Sequence, residues 1–163
     1  MSRLPIPNPN ASIVSLTSPF TRRSLRTIKD ALSAAYTTKY PMNPTETHAA
    51  VLVPLCNLND SPGLLFEVRG KLRAHSGEIR WDIPSFSRSI FTQSCQSFPG
   101  GKLDPTDGSL LHAALRETKE EVGVDAERIE ILGRLGPPTR SLSGLRVWPY
   151  VVSSKHSNRA PAE

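Results

Sequence analysis

The sequence has few cysteines and no long apolar run, and each shortage excludes a class of protein. Its 2 cysteines, Cys56 and Cys95, form no Cys-x-x-Cys motif and no disulfide framework, so we expect a reducing compartment. The longest apolar stretch, residues 49–56, is short and is interrupted by Pro54, which excludes a membrane span. The length of 163 residues, 37% of them hydrophobic, predicts a single globular domain.

Acidic residues are missing from the beginning of the chain, where Asp30 is the first. Residues 1–23 combine prolines, serines and arginines, which predicts a flexible N-terminus, with a weak resemblance to a targeting segment as the alternative. Residues 24–44 are expected to form a helix followed by a linker. The helix is predicted from an apolar stripe of four residues, namely Leu25, Ile28, Leu32 and Tyr36.

The formal net charge of +5 favours an anionic partner, either a phosphorylated small molecule or a nucleic acid. The sequence contains no helix-turn-helix, zinc finger or aromatic RNA-binding motif. We therefore predict a small-molecule substrate and no specific nucleic-acid binding, with a basic nucleic-acid binder as a remote alternative.

Three glutamates in the second half of the chain have a spacing that suggests a metal site. Glu117, Glu120 and Glu121 would share one face of a helix, because residues three and four apart are neighbours there. Carboxylates held that close are unfavourable without a cation between them. Their oxygen atoms suit Mg²⁺ or Mn²⁺, ions that commonly act on substrate phosphates.

The surrounding residues support this helix. Asp107 or Ser109 can cap its start, Gly123 fits its C-terminal end, and Arg116 can hold carboxylates by bidentate hydrogen bonds. The preceding loop contains Gly100 and Gly101, where the backbone can approach a ligand closely. An apolar stripe for packing is formed by Leu111, Leu115, Thr118 and Val122.

Residues 101–124 resemble the Nudix box, Gly-x5-Glu-x7-Arg-Glu-U-x-Glu-Glu-x-Gly-U, in which U is apolar. Asp107 replaces the first glutamate, eight residues instead of seven precede Arg116, and Thr118 occupies an apolar position. The resemblance implies an α/β fold, the Nudix α/β/α sandwich with a mixed sheet. It also implies metal-dependent hydrolysis of a diphosphate, with Mg²⁺ or Mn²⁺ as cofactor. The implied metal ligands are Glu117, Glu120, Glu121 and Gly101, and the implied catalytic residues are Glu120, Glu121 and Arg116, with the general base either Glu120 or Glu121.

An upstream segment resembles the signature of the coenzyme A diphosphatase branch of this family. The matching positions are Arg69, Arg73, Gly77, Phe98, Pro99, Gly100 and Gly101. This resemblance implies that coenzyme A or acyl-CoA is cleaved to 3′,5′-ADP and 4′-phosphopantetheine. Substrate contacts are expected from Arg69, Arg73, Gly100, Gly101 and Lys102. An intracellular location follows, peroxisomal by resemblance, with the mitochondrion or the cytoplasm as alternatives.

Two departures interrupt the resemblance. The branch has three residues between Gly77 and Phe98, whereas this chain has twenty, and removal of residues 80–96 restores the family spacing. That stretch, which lacks strand alternation and a helical stripe, is either a retained intron, the favoured hypothesis, or a genuine loop at the rim of the site. We expect the Nudix domain at residues 45–152, with a polar tail at 153–163 and a fold that is incomplete at the C-terminus.

The prediction is therefore a Nudix diphosphatase that acts on coenzyme A. The alternatives are a Nudix hydrolase of another nucleoside diphosphate derivative, or an inactive product of a misspliced or truncated gene.

Overall fold

The computed structural model describes residues 17–35, 40–69, 79–80 and 95–155. They form two α-helices, nine strands and a short 3-10 turn at Ala126–Arg128. In chain order the helices and strands are α1 (Arg22–Ala35), β1 (His48–Leu58), β2 (Ser61–Leu64), β3 (Phe66–Arg69), β4 (Ile79–Arg80), β5 (Cys95–Ser97), β6 (Gly100–Lys102), α2 (Leu110–Val122), β7 (Ile129–Arg134), β8 (Thr139–Arg140) and β9 (Arg146–Ser154).

The main sheet is mixed and has β1 and β9 at its centre. These two strands run parallel, with His48 opposite Arg146 and Leu55 opposite Ser153. The other four strands are antiparallel to their neighbours: β2 and β6 pair with β1, while β7 and β8 pair with β9. Asn59 and Asp60 join β1 to β2 with φ values of 48° and 59°, which is the turn geometry that matches the twist of a tight hairpin.

The two helices cover opposite faces of this sheet. Side chains alternate between the faces along a strand. In β1, Ala50 and Leu52 pack in the cluster that contains Leu110 and Ala114 of α2. Val53 packs in a second cluster, with Leu25 of α1. The α/β fold, with a mixed sheet between helices as the sequence predicted, is confirmed.

Helix α1 is the amphipathic helix that the apolar stripe predicted, and it begins at Arg22. The backbone N–H groups of Thr21 and Ser24 each donate to the other residue's hydroxyl, which caps the first turn. Leu25 is buried, and Ile28 and Leu32 pack beside it. A Cβ on Gly133 of β7 would lie 2.9 Å from Leu32 Cβ, so this glycine lets α1 dock closely. Tyr36 lies outside the described residues.

A second, three-stranded sheet contains β3 between β4 and β5. The residue pattern near 63–69 predicts one strand, but the structure divides it at Leu65 into β2 and β3. The Leu65 N–H donates to the Pro54 carbonyl. Arg80 pairs with Phe66, and Gln96 pairs with Val68. Both ends of residues 80–96 therefore belong to strands although the stretch lacks strand alternation, because they pair with β3. Residues 81–94 lie outside the described part.

Neither of the helices in the described residues is long and apolar enough to cross a membrane. Cys56 is half-buried in β1 with a free thiol, and burial raises its pKa.

Candidate active site

The glycine loop before α2 is fixed against the central strand. Gly100 lies opposite Val51 in the β6–β1 pair, and the Leu52 N–H donates to the Pro99 carbonyl at 2.9 Å. The φ angle of Gly100 is 139°, a conformation that side-chain-bearing residues rarely adopt. A Cβ there would lie 2.3 Å from the Ala50 carbonyl oxygen. The approach of the loop to β1 therefore requires glycine at position 100.

Helix α2 is capped at both ends. The Ser109 hydroxyl accepts a hydrogen bond from the His112 N–H at 3.1 Å, so Ser109 is the N-cap and Asp107 is not. Gly123 adopts a left-handed conformation with φ of 69° and its N–H donates to the Lys119 carbonyl, as predicted for the C-terminal end. These caps fix which face of the helix meets the sheet.

The buried face of α2 differs slightly from the predicted stripe. Leu111 and Leu115 are only half-buried, and the fully buried residues are Leu110, Ala113, Ala114, Thr118 and Val122. The buried Thr118 hydroxyl donates to the Ala114 carbonyl at 2.7 Å. This bond satisfies the hydroxyl within the helix, which explains how threonine fits at a position where the Nudix pattern has an apolar residue.

Arg116 is the centre of a charged network on the exposed side of α2. Its Nε and Nη2 donate to the two carboxylate oxygens of Asp107 at 3.1 and 3.0 Å. Its Nη1 lies 3.0 Å from Glu117 Oε1 and 3.4 Å from both carboxylate oxygens of Glu120. Its Nη2 also lies 3.5 Å from the Lys102 carbonyl oxygen. Arg116 thus joins the glycine loop, the helix and the connecting turn.

Asp107 is the most enclosed carboxylate of this network, with a side chain 1% exposed. It also accepts from the Asp104 N–H at 3.0 Å and lies 3.2 Å from His112 Nδ1. The Arg116 hydrogen bonds, followed by the Asp104 bond, lower the pKa of Asp107 from 3.8 to about 2. Asp107 in turn raises the pKa of Arg116. The substitution of aspartate for the first glutamate of the box therefore produces a clamp for Arg116.

Two glutamates of α2 contact the glycine loop directly. Glu121 Oε2 accepts from the Gly100 N–H at 3.0 Å. A Cβ on Gly101 would lie 2.6 Å from Glu117 Cδ, so the absence of a side chain at 101 makes room for this carboxylate. A side chain is therefore excluded at each position by a different neighbour. At Gly100 the neighbour is the backbone of β1, and at Gly101 it is the side chain of Glu117.

The predicted site residues are only partly assembled around one point. Arg116 gathers Glu117 and Glu120, while Glu121 is bound to the loop; within the described residues, no three acidic, histidine or cysteine side chains form a ready metal-ligand cluster. The cation expected between the glutamates is supplied, for two of them, by Arg116. Lys102 contacts this network through its carbonyl oxygen.

The two arginines of the upstream signature are described only in part. Arg69 ends β3, where its backbone pairs with Cys95. Arg73 lies outside the described residues.

The donor atoms nonetheless suit a hard divalent cation. Glu117, Glu120 and Glu121 offer carboxylate oxygens and Gly101 offers a backbone carbonyl, the ligand types that Mg²⁺ and Mn²⁺ prefer. Glycine at position 101 keeps the loop close to Glu117, since a Cβ would fill this space. The ligand atoms of these residues are therefore of the type that binds Mg²⁺ or Mn²⁺.

Sequence reasoning missed the contributions of Asp104 and His112 to the site. Asp104 Oδ1 accepts hydrogen bonds from the Thr106 N–H at 3.0 Å and from the Thr106 hydroxyl at 2.8 Å, and so shapes the turn that presents Asp107. The only signal in the sequence was the Asp-Pro-Thr-Asp run at residues 104–107, which is typical of a side-chain-stabilised turn. The pairing of His112 with Asp107 had no such signal.

Comparison with known proteins identifies the family. The NUDIX domain matches residues 46–157. The "Uncharacterized Nudix hydrolase NudL" of Enterobacter sp. (strain 638) is 41% identical over 104 residues, which cover 63% of this chain and 44% of that protein. The protein of the same name from Cronobacter sakazakii (strain ATCC BAA-894) is 39% identical over 107 residues, covering 65% of this chain and 46% of the relative. The chain therefore spans about half the length of the curated relatives that it matches.

Two solved structures are similar at lower identity. They are a Nudix hydrolase from M. Smegmatis, RenU, with a TM-score of 0.45, 17% identity and coverage of 71% of this chain and 66% of that one, and the C. elegans Ap4A hydrolase, with a TM-score of 0.45, 18% identity and coverage of 73% and 76%. The curated relatives are bacterial, so their similarity gives no support to the expected peroxisomal location.

The matched segment contains β1, the glycine loop, α2 and β9, and thus the whole Arg116 network. The family match, the identity to the NudL proteins and the order of glycine, arginine and glutamate residues in the site all indicate the same family. The chain belongs to the Nudix hydrolase family.

Proposed function

We propose that this chain hydrolyses the diphosphate bond of coenzyme A or acyl-CoA, giving 3′,5′-ADP and 4′-phosphopantetheine or its acyl derivative. The hydrolytic part is carried by the arrangement of α2, where Arg116 contacts Glu117 and Glu120 and the glycine loop donates a hydrogen bond to Glu121. The preference for coenzyme A rests on the resemblance of Arg69, Arg73 and the Phe98–Gly101 run to the coenzyme A diphosphatase signature.

The carboxylates of α2 would hold the metal. Glu117, Glu120 and Glu121, with the Gly101 carbonyl, would bind Mg²⁺ or Mn²⁺, which polarises a diphosphate and lowers the pKa of a bound water. Arg116 orients Glu117 and Glu120 through its contacts of 3.0 and 3.4 Å, and its own position is set by Asp107. The charge of the guanidinium also reduces the repulsion among the glutamates.

One of two glutamates accepts the proton of the attacking water. The Glu120 side chain is 59% exposed and lies 3.4 Å from Arg116 Nη1, whereas Glu121 accepts a hydrogen bond of 3.0 Å from the Gly100 N–H. A side chain that already accepts a hydrogen bond from the loop is suited to hold that loop in place. Separate Glu120→Gln and Glu121→Gln variants, compared across pH, would distinguish the proton acceptor from the positioning residue.

The negative phosphates of the substrate require cationic and N–H donors. Arg69 and Arg73 would contact them, together with Lys102 and the backbone of Gly100 and Gly101. Arginine suits this role because its planar guanidinium binds phosphate oxygens in pairs. Lys102 is exposed next to Gly101, within reach of a ligand above the loop.

The test incubates the purified chain with coenzyme A and Mg²⁺ or Mn²⁺, with 3′,5′-ADP as the measured product. Wild type should form it only with metal, and Glu121→Gln should lower turnover by orders of magnitude while cooperative unfolding is retained. Glu127→Gln is the matched control, since this exposed glutamate lies in the 3-10 turn outside the network. Equal turnover of wild type and Glu121→Gln would refute the assignment.

The remaining outcomes separate the alternatives. Hydrolysis of ADP-ribose or a dinucleotide, without hydrolysis of coenzyme A, would identify a Nudix hydrolase of another nucleoside diphosphate derivative. No hydrolysis of any substrate would indicate an inactive gene product.

Residues 80–96 can be tested directly as the cause of such inactivity. A variant that lacks them restores the family spacing and should gain activity if the stretch is a retained intron. Sequencing of the transcript is the independent check, because a spliced message without these codons is expected in that case. A message that always contains them would show a genuine loop.

A further inference from the structure

A basic cleft lies on the face of the sheet opposite α2. It has a volume of about 730 Å³ and is formed between α1 and the ends of β7 and β9. Its charged lining is Arg22, Arg23, Arg26, Lys29, Glu130 and Lys155. We refer to these six residues as the α1 cleft.

The α1 cleft contains most of the unbalanced charge of the chain. The sequence has 20 lysines and arginines and 15 acids, and the segment before Asp30 contains five of the basic residues and no acid. The remainder of the chain is therefore neutral overall. Four of those five basic residues line the cleft, and Lys155 adds a cation from the other wall. The excess of basic over acidic residues in the sequence is thus found mainly at this cleft.

The arrangement of α1 directs this charge outward. Arg22, Arg26 and Lys29 recur at intervals of four and three residues, which places them along one side of the helix. Among the described residues that line the cleft, Glu130 is the one acid, and its Oε1 lies 3.6 Å from Lys29 Nζ. One carboxylate cannot balance five cations, so an anion in the cleft would relieve their mutual repulsion.

The wall formed by Lys155 is held by the sheet. The Lys155 N–H donates to the Arg128 carbonyl at 2.8 Å, which ties the end of β9 to the start of β7. Glu130 belongs to β7, next to the strand positions that pack on α1. The two walls of the cleft are therefore joined by the folded domain.

We propose that the α1 cleft binds a small molecule that carries several phosphate groups. A volume of several hundred Å³ is typical of small-molecule sites, and neighbouring arginines bind phosphate oxygens strongly. A membrane is a poorer partner, because the apolar residues of α1, including Leu25 and Leu32, pack against the sheet and cannot enter a bilayer. An extended nucleic acid would need a longer basic stripe than one short helix provides.

The site is separate from the proposed active site. The α1 and α2 helices pack in different clusters, through Val53 on one face and Leu52 on the other. The α1 cleft and the α2 carboxylates thus lie on opposite faces of the sheet. A bound oligophosphate would stabilise the folded chain, since it binds a surface that exists only when α1 is docked.

The experiment is calorimetric titration of the full chain with inorganic tripolyphosphate, in the presence of EDTA so that the α2 carboxylates bind no metal. Saturable binding of one ligand per chain is expected. The double variant Arg23→Gln/Arg26→Gln should weaken it at least tenfold, which is about the factor that one charge-assisted contact supplies. Lys155→Gln, on the opposite wall, should also weaken binding, and it provides a second test should the helix variant fail to fold.

The matched control is Lys119→Gln/Arg140→Gln, which removes two positive charges from exposed positions outside the cleft. It should bind tripolyphosphate like wild type, and so should Glu121→Gln, whether or not the chain hydrolyses coenzyme A. Equal weakening in the control would show general charge attraction and overturn the proposal. Absence of saturable binding, or tighter binding of an oligothymidylate or of phosphatidylserine vesicles, would overturn it as well.

Discussion

The two neighbouring glycines of the loop before α2 should respond differently to the same substitution. In Gly100→Ala, the new Cβ would lie 2.3 Å from the Ala50 carbonyl oxygen and 2.7 Å from Val51 Cα, both backbone atoms of β1. The residue would also keep a φ of 139°. In Gly101→Ala, the three atoms nearest to the new Cβ all belong to the Glu117 side chain, with 2.6 Å to its Cδ. Backbone in a central strand cannot move aside, whereas a glutamate side chain can rotate.

The magnitudes follow from these contacts. A residue held in an unfavourable backbone conformation costs about 1–3 kcal/mol, and each lost hydrogen bond between β6 and β1 costs about 0.5–1.5 kcal/mol more. We therefore expect Gly100→Ala to lower the free energy of unfolding by about 3 kcal/mol. At about 2–4 °C per kcal/mol for a chain of this size, the midpoint of thermal unfolding should fall by about 6–12 °C. Gly101→Ala should lower the free energy of unfolding by less than about 1 kcal/mol.

Gly101→Ala, the variant expected to be more stable, should nonetheless lose activity. Gly101→Ala displaces Glu117 from the loop and should reduce metal-dependent turnover while the fold is retained. Urea unfolding followed by circular dichroism gives the stabilities, and product formation from coenzyme A gives the turnover. Equal destabilisation by both substitutions, or a more stable Gly100→Ala than Gly101→Ala, would refute this explanation of the glycine pair.

Two further predictions concern the turn and cap that position α2. The folded-state pKa of Asp107, about 2, is below the usual 3.8, so its contribution to stability is complete above about pH 4 and is lost as pH falls toward 2. Asp107→Asn should therefore weaken the stability at neutral pH and flatten this acid dependence, and an unchanged dependence in acid titration of unfolding would contradict the role of the clamp. Ser109→Ala should lower the free energy of unfolding by about 1 kcal/mol and Ser109→Asp by much less, because aspartate can also accept the N-cap bond from His112. Equal losses in the two variants, measured by thermal unfolding, would show that the cap bond is not the cause.

The Arg116 network is compatible with a purely structural role and with a catalytic role. Its ion pairs alone would hold α2 against the loop as a structural element. The same glutamates, with their oxygen donors beside Gly101, would hold a divalent cation in an active enzyme. Metal-dependent stabilisation of wild type but not of Glu121→Gln would therefore support the catalytic role even in the absence of a known substrate.

Residues 80–96 are connected through β3 to one of the proposed substrate-binding residues. Their two ends pair with β3, which also contains Arg69, the residue expected to contact substrate phosphates. A change in the length of this stretch would therefore alter the strands on both sides of Arg69. This connection gives a physical reason for the deletion variant to change activity.

The local pattern of the sequence determined the two helices and the family. Leu25, Ile28 and Leu32 identified α1, and the spacing of Arg116, Glu117, Glu120 and Glu121 identified α2 and the Nudix box, because helical periodicity and end caps act over only a few residues. The division of the strand at Leu65 was not predictable, since it depends on a hydrogen bond to Pro54 across the sheet.

Tertiary structure alone decided which partners the site residues have. Asp107 could have been a cap or a clamp, and the Ser109–His112 bond together with the reach of Arg116 made it the clamp. Gly100 and Gly101 were predicted only as a close approach of backbone; the sheet register opposite Val51 and the position of Glu117 gave each its separate reason. The α1 cleft likewise depends on Lys155 and Arg22 meeting from distant parts of the chain. Such contacts are set by packing between elements, to which local periodicity is insensitive.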